Sequence, residues 1–365
     1  MTSVLNQIGR ELRTSWLNLL LVAVPLCWWL RVQDPGSMWV FLAAAISLVP
    51  AAGLIGSATE HLARRSGPTL GGFLNATFGN AAELIIATAA LRAQHTAVVK
   101  ASITGSIIGN LLLVFGFSCF AGGLRHGPQK FNRTSAGTAT VMLFLATVAL
   151  VMPAVVDRVS FGSLQAQPEI IDRLSFWTSL VLLGVYAAGL IFTFRTSRDP
   201  LRGVPAHTHG RDMTTRAALI LLAAGTALTT IQAEILVVAL APALKQMGMS
   251  ELFAGVIIVA LVGNAAEHYS AVSAALRNEM TLALEISIGS SAQIALMVAP
   301  VLVLMSYVFG PPMSLVFNAF EITAICLSTL AVAFVAMDGE SNWLEGLQLL
   351  GVYVILGLAF FLIPG

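Results

Sequence analysis

Charge is scarce in this chain. Of its 365 residues only 10% are Asp, Glu, Lys or Arg, against roughly 25% in a typical soluble domain, while 57% are apolar. That balance excludes a soluble enzyme. Neither sign predominates: 19 Lys+Arg against 18 Asp+Glu leave a formal charge of +1, which offers no basic surface to nucleic acid. Cysteine is scarce too. Cys27, Cys119 and Cys326 lie far apart in apolar runs, so neither a disulfide framework nor a cysteine metal motif is expected. A cleavable leader is also not expected, because the first apolar run holds Pro25 and Trp28-Trp29 and no small-residue cleavage site follows it.

What fills the chain instead is apolar runs of about 20 residues, the length of helix that crosses a bilayer core. Eleven are expected, making an all-α polytopic membrane protein with cores near 15–30, 38–58, 70–91, 97–121, 134–156, 175–194, 215–241, 252–276, 281–308, 314–336 and 343–363. Basic residues are retained on the cytoplasmic side. With the N-terminus inside, only Arg31, Arg92, Lys100, Arg158, Arg173 and Lys245 of the 19 fall outside, so an inside N-terminus and an outside C-terminus are expected. The polar stretch 195–214 reads as a cytoplasmic linker. Its His207 and His209 could bind a metal or simply be solvated.

An internal repeat organises the rest. The pentapeptide GNAAE occurs at Gly79–Glu83 and again at Gly263–Glu267, an offset of 184, and at that offset Gly71 meets Gly255, Gly105 meets Gly289 and Ser106 meets Ser290. Duplication explains this better than chance among small residues. The expected organisation is an N-terminal tail and extra helix (1–33), a first five-helix repeat (34–194), the linker, and a second five-helix repeat (215–365). Five is odd, so the halves insert with opposite topology. Inverted repeats of this kind build a midplane site reached from either face.

Five acids, Glu60, Glu83, Glu234, Glu267 and Glu321, fall within expected spans, and no Lys or Arg lies deep enough to pair with them. A central acid costs about 2.5–3.5 kcal/mol on insertion scales, so these carboxylates call for a cation or a proton. Glu83 and Glu267 each follow an Asn by three residues (Asn80, Asn264) and a Gly by four (Gly79, Gly263), which puts amide and carboxylate on one helix face. Glycine also lets the helix unwind and free carbonyl oxygens. An all-oxygen site of this composition suits Ca²⁺ better than Mg²⁺. Ser106, Asn110, Ser290, Ser291 and Gln293 could complete its shell, or bond across helices without a ligand. His268 could pass protons or serve as a structural partner. Glu60 and Glu234 are candidates for the access path or a proton relay, with helix capping as the alternative, and Glu321 has a structural role as its equal reading.

The segments GGFLNATFGNAAELI (71–85) and GNAAEH…MTLALEISIGSSAQIALMVAP (263–300), with GSATEHLA, QAEILV and PPMSLVFNAFE, resemble the signature regions of the calcium/proton exchangers. This is a branch of the calcium:cation antiporter superfamily. The resemblance implies a secondary active antiporter, not an enzyme, that exchanges transported Ca²⁺ for H⁺ across the lipid bilayer by alternating access, with no cofactor. It implies that Glu83 and Glu267 are the central cation ligands, Asn80 and Asn264 their neighbours, Ser290 and Gln293 the polar residues beyond, and His268, Glu60 and Glu234 the coupling or access groups. Two departures stand out. Glu285 occupies a position more often glycine, and the linker is basic where eukaryotic members carry an acidic helix, which points to a prokaryotic plasma membrane. A homo-oligomer is compatible with this reading. Exchange of Ca²⁺ for Na⁺ on the same scaffold is the near alternative, and an intramembrane metal enzyme a remote one lacking the ligand spacing for it.

Overall fold

The computed structural model describes residues 2–159, 168–196 and 213–362. Apart from a two-residue antiparallel pairing of β1 (Gln129–Lys130) with β2 (Glu340–Ser341), the regular structure is helical. The helices are α1 (Thr2–Thr14), α2 (Trp16–Gln33), α3 (Met38–Arg65), α4 (Gly67–Phe78), α5 (Ala81–Arg92), α6 (Thr96–His126), α7 (Arg133–Val159), α8 (Pro168–Thr196), α9 (Thr215–Met247), α10 (Glu251–Gly263), α11 (Ala265–Leu276), α12 (Met280–Phe309), α13 (Ala319–Ala336) and α14 (Trp343–Leu362). Among the described residues nine helices are long and apolar enough to cross a membrane, and up to ten if α10 and α11, bent by 61° at their junction, count as one span. Large apolar side chains such as Trp29, Phe144, Phe192, Val308 and Phe334 are exposed, as a lipid-facing surface requires.

Local chemistry sets the helix ends. Ser37, Thr214, Ser250 and Asn318 each accept a backbone N–H at the start of α3, α9, α10 and α13, and Gly248 ends α9 in the left-handed conformation. The third expected run, 70–91, is not one continuous helix. It breaks between α4 and α5 at Gly79–Asn80, where Asn80 leaves helical geometry (φ −94°, ψ 20°).

Three irregularities recur at the 184-residue offset. The second Asn of the repeated pentapeptide, Asn264, separates α10 from α11 as Asn80 separates α4 from α5. The two non-glycine residues with positive φ, Gln94 and Asn278, both at 64°, are 184 apart. Wider π turns interrupt α6 at Gly109–Val114 and α12 at Ile294–Val298, which is the same register. A third π turn lies at Ala254–Val259 in α10.

The chain divides into two compact units. The first comprises Met1–Ala93, Ala187–Met249 and Val262–Ala266. Its axis is the antiparallel pair α3 and α9. Gly36 lies beside Pro242, the Gln246 side chain accepts from the Met38 N–H, and Gly225 approaches Ile55 closely. α1 is fastened to that pair. Val4, Ile8 and Leu12 pack on Leu54, Ala58, Ala217 and Leu221, Gln7 accepts from Thr214, and Glu11 accepts from Ser57 and faces the buried His61 at 3.5 Å.

The second unit comprises Gln94–Tyr186, Ser250–Leu261 and Glu267–Gly365. Small residues let its helices approach. Gly105 on α6 lies directly against the Val256 backbone on α10, Gly255 returns the contact on Ala101, and Gly116 and Gly346 meet where α6 crosses α14. Ser291 donates to the Ile107 carbonyl (3.3 Å) and ties α12 to α6. Thr147 and Thr329 bond α7 to α13 at 3.2 Å.

Candidate functional site

In the first unit, the break at Gly79–Asn80 starts α5, and Glu83 follows in its first turn, buried, with Asn80 buried beside the break. Negative charge is favoured at a helix N-terminus, so this carboxylate sits where the backbone tolerates it best. The first four residues of the second pentapeptide also belong to this unit. A Cβ built on Gly263 would stand 3.2 Å from Cγ of Glu83 and 3.9 Å from its Cδ. The glycine that opens one motif therefore lies against the acid that closes the other. A residue with a Cβ would crowd the Glu83 side chain there.

In the second unit, Glu267 lies half-buried in the first turn of α11, and Asn110 reaches it from the π turn of α6. The Asn110 amide donates to the Ser290 hydroxyl at 3.0 Å and to Glu267 Oε2 at 3.4 Å. One side chain thus joins α6, α11 and α12. Asn110 is the second residue of that π turn, an irregularity common at functional positions. Ser106 is buried one turn earlier on α6, Gln293 directly precedes the π turn of α12, and His268 follows Glu267 half-buried.

The remaining acids have partners of their own. Glu60 pairs with Arg64 one turn along α3, and Glu234 pairs with Arg92 at 3.4 Å, the latter two side chains both more than half exposed. The expectation that these acids lack basic partners is corrected, because the long stems of arginines near helix ends let Arg64 reach back along α3 and Arg92 cross from α5 to α9. Glu321 is buried but occupied. It closes a capping box with Asn318 at the start of α13 and accepts from Thr104, which favours its structural reading. Glu285 accepts from Ser135 of α7 at 2.6 Å. His207 and His209 lie outside the described residues. Among the described residues no group of three or more His, Cys, Asp and Glu could hold a metal ion, so any cation at Glu83 or Glu267 would need amide, hydroxyl or carbonyl oxygens as well.

Sequence reasoning passed over two sets of residues. His61, inside GSATEHLA, bonds α1 to α3 through Glu11, and Gln232, inside QAEILV, is fully buried in α9. A polar residue in an otherwise apolar helix was the available signal for both.

Long apolar helices, broken by asparagines where buried carboxylates begin the next segment, are the build of a secondary transporter of the membrane. The profile of the family described as sodium/calcium exchanger protein matches residues 36–195 and 217–362, and the chain belongs to that family. It is 42% identical over 340 residues to the Ca(2+)/H(+) antiporter of Aphanothece halophytica, covering 89% of this chain and 90% of the relative. It is also 42% identical over 329 residues to the Ca(2+)/H(+) antiporter ChaA of Bacillus subtilis, covering 89% and 92%. The solved structure of native YfkE superposes with a TM-score of 0.82 at 39% identity, over 95% of this chain and all of that one.

Proposed function

We propose that this integral membrane protein exchanges Ca²⁺ for H⁺, with Glu83 and Glu267 as the carboxylates that hold the transported ion. Asn80, Asn264, Asn110, Ser106, Ser290 and Gln293, with the backbone at Gly79 and Gly263, supply the neutral oxygens. The observation that carries the reading is the seating of Gly263 on Glu83. A glycine against a buried carboxylate keeps side-chain bulk away from it, which suits the mixed set of carboxylate and neutral oxygens that Ca²⁺ takes. The names of the relatives at 42% identity supply the ion pair exchanged.

Coupling follows from charge. Desolvation disfavours the charged form of a buried acid, so the empty site takes protons, and Ca²⁺ binding displaces them. A carrier that reorients only with its buried charge neutralised, by metal or by protons, moves the two species in opposite directions without ATP. Alternating access of this kind suits two inverted five-helix repeats, 34–194 and 215–365, after an extra N-terminal helix, joined by the linker 195–214. Counting α4 with α5 as one broken span brings the total to eleven, with the N-terminus cytoplasmic and the C-terminus outside, in a prokaryotic plasma membrane. The recurrence of helix break, left-handed residue and π turn at one offset supports the duplication. Glu60, Glu234 and His268 remain candidates for the access path, the first two acting through their arginines.

The test is reconstitution in sodium-free liposomes under an imposed pH gradient, following ⁴⁵Ca²⁺ and internal pH together. Uptake coupled to proton release is expected, and Glu83→Gln and Glu267→Gln should each abolish it. Coupled uptake by either variant would overturn the site, and a requirement for Na⁺ would favour sodium exchange instead.

A further inference from the structure

The first helix, α1, has 13 residues and is about 20 Å long at 1.5 Å per residue, too short to cross a bilayer core. Ser15 sets it apart from the spanning helix α2. The Ser15 backbone is extended (φ −106°, ψ 130°), and its side chain caps α2 by accepting from the Leu17 N–H. One face of α1 packs on α3 and α9 through Val4, Ile8 and Leu12. Elsewhere on the helix Arg10, Arg13 and Leu5 are exposed, and Trp16 and Leu19 are exposed just beyond the break. A short helix that turns basic and apolar residues outward beside the start of a membrane span has the composition of one lying in the headgroup layer, where tryptophan is also favoured.

Positive charge collects at this end of the unit. Nine residues back from Gly225 is Arg216, and nine residues on from its neighbour Ile55 is Arg64, so the start of α9 and the end of α3 lie at one level of the antiparallel pair. α1 reaches both, with Gln7 accepting from Thr214 and Glu11 from Ser57. Arg13, Arg65 and Arg216 are exposed there. The acids beside them are already engaged, Glu11 facing His61 at 3.5 Å and Glu60 pairing with Arg64. Among the described residues no acid pairs with Arg13, Arg65 or Arg216. Three guanidinium groups gathered at headgroup level without counter-charge from the protein call for negative charge from outside it.

We propose that α1 and the adjoining ends of α3 and α9 form a binding surface for anionic phospholipids, with Arg13, Arg65 and Arg216 on the headgroup phosphates and Leu5 and Trp16 against the upper acyl carbons. A guanidinium meets a phosphate through two parallel N–H donors. A zwitterionic lipid offers a phosphate as well, but its own ammonium group cancels the charge. Each basic residue at such a surface strengthens attraction to an anionic membrane by roughly fivefold. The bound headgroups offset the repulsion among the arginines and so favour the docked position of α1.

The test uses the full chain with Trp28, Trp29, Trp39, Trp177 and Trp343 replaced by phenylalanine, so that Trp16 alone reports. It is placed in bilayers of phosphatidylcholine and phosphatidylglycerol, with brominated acyl chains on one lipid or the other. Quenching should show phosphatidylglycerol preferred at Trp16 by about fivefold or more, and high salt should shrink the preference, since exposed charges are screened. Arg13→Gln, Arg65→Gln and Arg216→Gln together should bring it to parity, while Arg31→Gln, at the far end of α2, should keep it. Glycerol phosphate free in solution should not compete. Should the tryptophan variant fail to fold, the wild type in detergent serves: added phosphatidylglycerol should raise its melting temperature more than phosphatidylcholine does, and the triple arginine variant should lose that difference. Equal quenching by the two lipids, a preference that survives the triple substitution, or displacement by glycerol phosphate would overturn the proposal; for the wild type in detergent, so would equal melting temperatures with the two lipids.

Discussion

Gly263→Ala adds one methyl group at the point where the two motifs touch. The new Cβ would stand 3.2 Å from Cγ of Glu83, 3.8 Å from its Cα and 3.9 Å from its Cδ, while carbon atoms settle at about 3.5–4.0 Å. A displacement of roughly 0.3 Å resolves the overlap. Because the crowded atom is in the middle of a flexible side chain, Glu83 can yield by twisting off its rotamer, at a cost of about 0.5–1.5 kcal/mol. The fold should survive. The carboxylate should not keep its place, and if the twist is charged to the ion-bound state the same energy is roughly a two- to tenfold loss in apparent Ca²⁺ affinity. Gly289→Ala is the control, since no atom lies within 4 Å of a Cβ there. Both variants would be measured by initial rates of Ca²⁺ uptake into liposomes over a range of Ca²⁺ concentrations, with thermal unfolding in detergent alongside. Unchanged affinity in Gly263→Ala, or an equal loss in Gly289→Ala, would refute the reasoning.

Gly105→Ala should be far more damaging to stability than Gly289→Ala, although the two glycines are repeat partners, because a Cβ on Gly105 runs into the backbone of Val256; overpacking of this kind costs about 1–3 kcal/mol, read as a lower melting temperature. Asn110→Leu removes the donor shared by Glu267 and Ser290. Hydrogen bonds to charged groups contribute about 1.5–3 kcal/mol, so Ca²⁺ affinity should fall by at least tenfold, and wild-type affinity in this variant would exclude Asn110 from the site. Hydrogen bonding to His61 holds the Glu11 carboxyl below the usual carboxylate range, against the opposing effect of burial, with Ser57 and Arg64 adding to it. The contribution of that contact to α1 docking should be complete above the ordinary carboxylate value and be lost as pH falls through the lowered one. Hydrogen exchange across α1 measured between neutral and acidic pH should rise in that window, and Glu11→Gln should flatten the rise.

Much of the proposed site is legible in the sequence because its ingredients are local. An acid in an apolar run, an Asn three residues earlier and a Gly before that are read within one turn of helix, and duplication marks them as a pair. The same locality misled the reading of Glu60 and Glu234, whose arginine partners lie one turn away and 142 residues away. Asn110 could be nominated from its polarity, but its partners Glu267 and Ser290 are 157 and 180 residues distant.

The order of residues by itself determined that this is a membrane protein of many helices, because transfer from water to hydrocarbon depends on composition summed along a segment. It did not determine where those helices break: Gly79-Asn80 ends α4 and Asn264 ends α10, whereas Gly109-Asn110 only widens α6 into a π turn. Only the folded chain decided that Gly105 is locked against a neighbour while its twin Gly289 faces open space, that Gly263 rests on Glu83, and that Gln232 is sealed without a partner. Identical local sequence acquires different energies once helices from distant parts of the chain are packed against it, and packing is set by every contact along the seam, not by the residues at one point of it.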